Sequence, residues 1–314
     1  MSTPCLAGTY NPLYGADAIS DCLETPKGYF TKNAGSDDFV TSPCLQGYYC
    51  DANTADPEVE KKICAKGTFR RTFGATMVTD CGDCPSGYYC PEQSVEPMPC
   101  PKGYYCPVNQ EFPLPCPIGT FGAGEKLTDV GDCTTCYGGR FCSQYGLVAP
   151  DGECDPGFYC VDKSMTPVPK TLHVGDVGNV CEAGGYCPIA TKYPLPCRPG
   201  FYQPNTSATV YGDCIPCECG MYCDGRPDPA RTDIVDDLKY LIDKLPSAFM
   251  SGPCDDGYWC STTSSHPKQN VALQGQFTKI TPAVGTLGTA GYVAAKGACA
   301  PSKCQPGTFQ FEQG

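Results

Sequence analysis

Apolar residues follow a helical period in one stretch of this chain. Ile234, Val235, Leu238, Leu241, Ile242 and Leu245 share one helical face, and Asp236, Asp237, Lys239, Asp243 and Lys244 fall on the other. Thr232 and Asp233 offer a capping side chain and Pro246 a stop, so the pattern predicts one amphipathic helix over about 232–245. Alternating apolar positions in 271–280 and 291–295 predict short strands and a hairpin. Elsewhere the apolar side chains are largely Tyr and Phe set beside Gly and Cys, with neither period. Something other than amphipathic faces must organise the rest.

That organiser is a repeat. A short knob, C-x-x-G-x-[YFW]-C, runs from Cys44 to Cys50, Cys84 to Cys90, Cys100 to Cys106, Cys136 to Cys142, Cys154 to Cys160, Cys181 to Cys187, Cys217 to Cys223 and Cys254 to Cys260. Its invariant glycine reads as a turn that needs positive φ or a close backbone approach. A longer loop opens with C-x-x-G-[TF]-[FY] and ends on a cysteine that follows aspartate: Cys5 with Cys22, Cys64 with Cys81, Cys116 with Cys133, Cys197 with Cys214. After the last three of these the next knob starts at once, through a C-x-x-C step. Cys304 opens a fifth loop whose second cysteine would fall beyond Gly314.

Even numbers of cysteines remain between the loops, which allows every loop and every knob to close on itself. Cys219 and Cys299 are then left for each other, and Cys304 is unpaired within the chain. A crossed scheme, with Cys84 bonded to Cys100 and Cys90 to Cys106, satisfies the same count, and spacing does not choose between them.

Composition explains why the bridges are needed. Leu, Ile, Val and Phe make up only about a sixth of the 314 residues, a level at which chains usually stay disordered, while Cys numbers 27. A single large core is excluded. The expected fold is a set of small disulfide-rich repeat modules with little regular secondary structure, arranged as an elongated rod or solenoid, with short β-hairpins and the one inserted helix. Each unit is expected to contact only its neighbours, and the modules divide at 1–63, 64–115, 116–196 and 197–303, with a fifth beginning at 304–314. The fourth carries a helical insert, 224–253, and a cysteine-free insert, 261–298.

The phrases CAKGTF at Cys64, CPIGTF at Cys116, CRPGFY at Cys197 and CQPGTF at Cys304, each of the first three leading to an Asp-Cys step, resemble the ephrin-receptor-type cysteine-rich repeat, a relative of tumour necrosis factor receptor and growth-factor-receptor modules. Long arrays of such knobs resemble extracellular surface and appendage proteins of protists and algae. The resemblance implies a non-enzymatic, extracellular role. The knob number between loops varies, unlike the regular count of receptor modules.

So much thiol also points to an oxidising compartment. Met1, Ser2, Thr3, Pro4 and Cys5 show no basic stretch or apolar run, so the chain reads as a mature or internal portion of a longer precursor. A net charge of −12 argues against nucleic acid and anionic membrane as partners. No stretch is apolar enough for direct membrane insertion. Zinc at the C-x-x-C steps lacks further ligands, since His173 and His266 are the only histidines; no cofactor and no catalytic constellation is expected. Asn205-Thr206-Ser207 is a strong N-glycosylation sequon, which predicts an exposed asparagine carrying a glycan, while the hydroxyl-rich stretch Ser261 to Ser265 reads first as rigid turn and only second as a candidate for O-glycans. The face of Ile234, Leu238, Leu241 and Leu245 either packs on its own flanking knobs, as helical stripes more often do, or docks on a neighbouring chain as an assembly face. The reading is a structural subunit of an extracellular filament, appendage or wall that self-associates; the alternative is a ligand-binding or adhesive ectodomain of a cell-surface receptor.

Overall fold

The computed structural model describes residues 3–14, 17–170, 177–225, 250–255, 258–271, 292–293, 297, 299 and 302–303. The chain forms two compact units, Met1–Thr135 with Gln144–Pro150, and Cys136–Ser143 with Asp151–Gly314. Each is built in the same way from small cysteine-rich modules. The predicted helix, with Ile234, Leu238, Leu241 and Leu245, lies outside the described residues, as does Cys304.

Regular structure follows the repeat. In most, the two residues after the glycine pair antiparallel with the two residues before the next repeat begins. Tyr88–Tyr89 pairs with Met98–Pro99, Tyr104–Tyr105 with Leu114–Pro115, and Gly185–Tyr186 with Leu195–Pro196. The long loops do the same: Thr68–Phe69 pairs with Gly82–Asp83 and Phe201–Tyr202 with Ile215–Pro216. A two-residue strand is far too short to persist alone, and the bridges supply what it lacks. Knobs close over a separation of 6, as in Cys84–Cys90 and Cys100–Cys106, and loops over 17, as in Cys64–Cys81 and Cys116–Cys133. By chain entropy a knob bridge contributes about 2 kcal/mol and a loop bridge about 3 kcal/mol. The core is the row of bridges itself. Tyr48 is buried over Cys44 and Cys50 with Phe30, Leu45 and Ile63 around it. Tyr159 packs on Cys181 and Cys187 of the next knob.

The cysteine-free insert departs from its expectation. Asn270–Val271 pairs back with Tyr258–Trp259, and Tyr292–Val293 pairs forward with Ser302–Lys303. Its described strands therefore belong to two repeat hairpins and not to a separate added one. The second matches the repeat register: Gly288, Gly291 and Ala294 stand where a knob has cysteine, glycine and cysteine, with the spacing to Cys304 that Cys84 has to Cys100. Those three residues lie outside the described set, but the turn that follows them does not. The Gly297 N–H donates to the Cys254 carbonyl at 2.9 Å, as the corresponding turn does elsewhere.

A second knob without cysteine is fully described. Thr25-Pro26-Lys27-Gly28-Tyr29-Phe30-Thr31 has the knob pattern with threonine at both cysteine positions. Thr25 is completely buried and Thr31 nearly so. Their Oγ1 atoms lie 2.7 Å apart in a hydrogen bond, and Thr25 Oγ1 also donates to the Gly8 carbonyl at 2.8 Å. Tyr29 bridges Pro43 in the usual hairpin register. Counting cysteines thus understates the repeats: two knobs, not one, separate the first and second loops.

Candidate functional site

The junction between repeats is the arrangement this fold builds over and over, and it is made of backbone. Around the Cys44–Cys50 knob, Cys44 N–H donates to the Gly28 carbonyl and Gly28 N–H to the Cys50 carbonyl, each at 2.8 Å. On the other side Cys50 N–H donates to the Ala75 carbonyl and Gly74 N–H to the Cys44 carbonyl, each at 2.9 Å. The Cys84, Cys100, Cys154, Cys181 and Cys217 knobs are held by the same four hydrogen bonds, two to the glycine of the repeat before and two to the turn of the repeat after. In the second unit Cys154 and Cys160 bond Gly139 behind and Ala190 and Thr191 ahead at 2.7 to 3.0 Å. The long loops keep this frame although their second cysteine lies elsewhere. Arg70 takes its place, accepting from Gly47 N–H at 3.1 Å and donating to the Ser94 carbonyl at 3.0 Å.

The glycine behind and the turn ahead meet across the knob they hold. A Cβ on Gly47, whose φ is +78°, would stand 2.6 Å from the Gln93 carbonyl oxygen, and one on Gly87 2.8 Å from that of Lys126. There is no room for a side chain, and the φ is one that L residues resist. Gln93 is two repeats beyond Gly47. The expectation that each unit touches only its neighbours is therefore wrong within these units: Gly8, Gly67, Gly139 and Gly200, like Gly47 and Gly87, meet a turn carbonyl two repeats on. The turn residues themselves take positive φ whatever their side chain, among them Asn53, Gln93, Asn109, Lys126, Lys163 and Ala190.

Two recurring features of the repeat have a physical cause. The aspartate before each loop cysteine folds back to cap a 3-10 turn. Asp80 Oδ2 accepts from Thr76 N–H at 2.6 Å, from Thr76 Oγ1 at 2.9 Å and from Met77 N–H at 3.2 Å. Asp132 does so with Thr128 and Asp129, Asp213 with Thr209 and Val210, and Asp21 with Asp17 and Ala18. Backbone donors, first Thr76, Thr128 and Thr209 and then their hydroxyls and neighbours, hold the carboxyls of Asp80, Asp132 and Asp213 below the ordinary aspartate value. The Ser or Thr that follows most knobs is buried and ties its own turn: Ser94 Oγ donates to the Pro91 carbonyl at 2.7 Å and Ser264 Oγ to that of Ser261 at 2.8 Å. Ser264 is fully buried, its hydroxyl used within its own turn.

The cysteines singled out from spacing are found as bridges: Cys5–Cys22, Cys44–Cys50, Cys136–Cys142, Cys154–Cys160, Cys181–Cys187, Cys197–Cys214, Cys217–Cys223 and Cys254–Cys260 beside those above. Cys219 is joined to Cys299 across a separation of 80. Each C-x-x-C step has one sulfur in a loop bridge and the other in the next knob. Asn205 is exposed beside an open depression of about 340 Å³ that Gln203 and Asp213 also line. Among the described residues no three His, Cys, Asp or Glu side chains gather as a metal group, and no helix is long and apolar enough to cross a membrane. Cysteine counting missed the Thr25–Thr31 knob, whose signal was Gly28 followed by two aromatics, and the aspartate caps, whose signal was the Thr or Asp four residues before. Bridges on this scale are the chemistry of an oxidising compartment. No protein-family model matches the chain, and no curated protein matches it either.

Proposed function

We propose that the chain is a non-enzymatic structural subunit of an extracellular filament, appendage or wall, built from repeats of the ephrin-receptor type. The observation that supports this reading is the junction frame. The same four hydrogen bonds recur around Cys44, Cys84 and Cys154 and around Thr25 with different side chains at each, so the sequence is spent on a repeating lattice and not on one convergent site. Asn205, exposed in its sequon, would carry a glycan. The face of Ile234, Leu238, Leu241 and Leu245 would join one copy to the next, burying apolar surface that a short cysteine-rich module cannot bury itself.

Immunogold electron microscopy of the native material, with antibody raised to the folded chain, tests the reading. Label along extracellular fibres is expected. Dispersed surface label that detergent removes would overturn it and favour the receptor ectodomain. The Leu238→Asp, Leu241→Asp pair should abolish assembly while the secreted monomer keeps its bridges.

A further inference from the structure

We propose that Cys219–Cys299 is a thiol–disulfide exchange site, open to an external thiolate while the other bridges stay sealed. Its place in the repeat sets it apart. Cys219 stands two residues after Cys217, at the solvent-facing position that Lys66, Ser86 and Lys102 occupy in other repeats, and it is exposed; Cys299 is exposed as well. The neighbouring Cys217–Cys223 bridge is buried, as are both sulfur-bearing residues of every knob bridge, and the loop bridges are buried but for the half-buried Cys22. Exchange needs a thiolate to approach along the S–S axis, so accessibility decides which bridge reacts.

The bridge is also additional to the frame. The Cys217 repeat already has its own staple in Cys217–Cys223, whereas this bridge ties that repeat to the turn two repeats on. That turn is held without it, by Gly297 N–H to the Cys254 carbonyl at 2.9 Å, next to the second-neighbour approach of Gly297 to the Gly220 carbonyl. Opening the bridge therefore leaves the junction standing. In the reaction the thiolate of a dithiol attacks one sulfur, the S–S bond breaks, and the electron pair leaves on the other sulfur, which takes a proton from water. The second thiol of the reagent then displaces the mixed disulfide. Cys219 and Cys299 end as thiols and the dithiol as a disulfide.

Dithiothreitol without denaturant, followed by timed N-ethylmaleimide alkylation and peptide mapping, tests this on the full chain. Cys219 and Cys299 should be alkylated at least about tenfold faster than Cys217, Cys223 or any knob cysteine, with amide exchange at Gly220 unchanged. Equal rates for Cys217 and Cys223, or no labelling until the whole fold is lost, would overturn the proposal. The Cys219→Ser, Cys299→Ser pair should fold and lack the fast phase. Survival of that phase, or failure of the pair to fold, counts against it equally.

Discussion

The knob at Thr25–Thr31 and the knob at Cys44–Cys50 are adjacent and differ in what joins their ends. One has a hydroxyl pair 2.7 Å apart, the other a covalent bridge. Their surroundings are the same. Thr25 N–H donates to Gly8 and Gly8 N–H to Thr31, while Thr31 N–H donates to Thr54 and Asn53 N–H to Thr25, at 2.9 to 3.1 Å, bond for bond the set that Cys44 and Cys50 make. The conformation is therefore specified by the glycine and the four backbone bonds. The bridge lowers the entropy of the unfolded chain around a shape it does not itself dictate. Two buried hydroxyls are tolerable because each has a partner; unpaired, they would be costly.

Breaking the frame should do the most damage. Gly47→Val puts a branched side chain at positive φ against the Gln93 carbonyl and should cost about 3 to 5 kcal/mol, read as failed secretion or loss of the Cys44–Cys50 bridge on peptide mapping. Removing the staple should do less. Cys44→Thr with Cys50→Thr copies the neighbouring knob and should lower stability by about 2 kcal/mol, while hydrogen exchange at Gly28 still reports a formed junction; exchange at the unfolded rate would show that this knob needs its bridge. In the opposite direction, Thr25→Cys with Thr31→Cys should oxidise unaided, visible as a mass two hydrogens below the dithiol, and gain up to about 2 kcal/mol, since added bridges often deliver less than chain entropy predicts.

The smallest effect should be seen with acid. Asp80, Asp132 and Asp213 have carboxyls whose values are lowered by the donors they cap. Such groups contribute stability that is full above the unfolded value, about 3.9, and is lost as pH falls through the lower folded value. Denaturation midpoints should be flat near neutrality and decline below about pH 4, and Asp80→Asn should make that decline shallower. An unchanged acid profile in the variant would remove Asp80 from the account.

What could be read from the chain was whatever the repeat writes in side chains. Cysteine spacing marked where hairpins such as Tyr88–Tyr89 with Met98–Pro99 begin and end, because the strands sit at fixed offsets from the sulfurs. Thr25 and Thr31 were hidden, since threonine substitutes the function of cysteine by different chemistry and only Gly28 and its aromatics keep the pattern. The second-neighbour contact was hidden for a deeper reason. It is made by carbonyls of Gln93, Lys126 or Ala190, and a backbone carbonyl leaves no residue type as a signature. Asn205 was legible as a motif, and its exposure follows from a loop whose inward position is taken by Gln203, buried and bonded to the Asp213 carbonyl at 2.6 Å.

The junction frame also decides where this protein can accept new sequence. In the Cys154 repeat the chain is held as far as Lys163 and Ser164, which bond Cys136 and Cys142, and is caught again at Gly178–Val180, which pairs with Phe158–Cys160. The first residues of the stretch between still pack on the repeat, Asp155 N–H donating to the Pro167 carbonyl at 3.0 Å and Pro169 being fully buried. The corresponding gap in the Cys84 repeat, from Ser94 to Met98–Pro99, is only a few residues. The same frame thus closes over connections of different length, so residue count and repeat count are uncoupled.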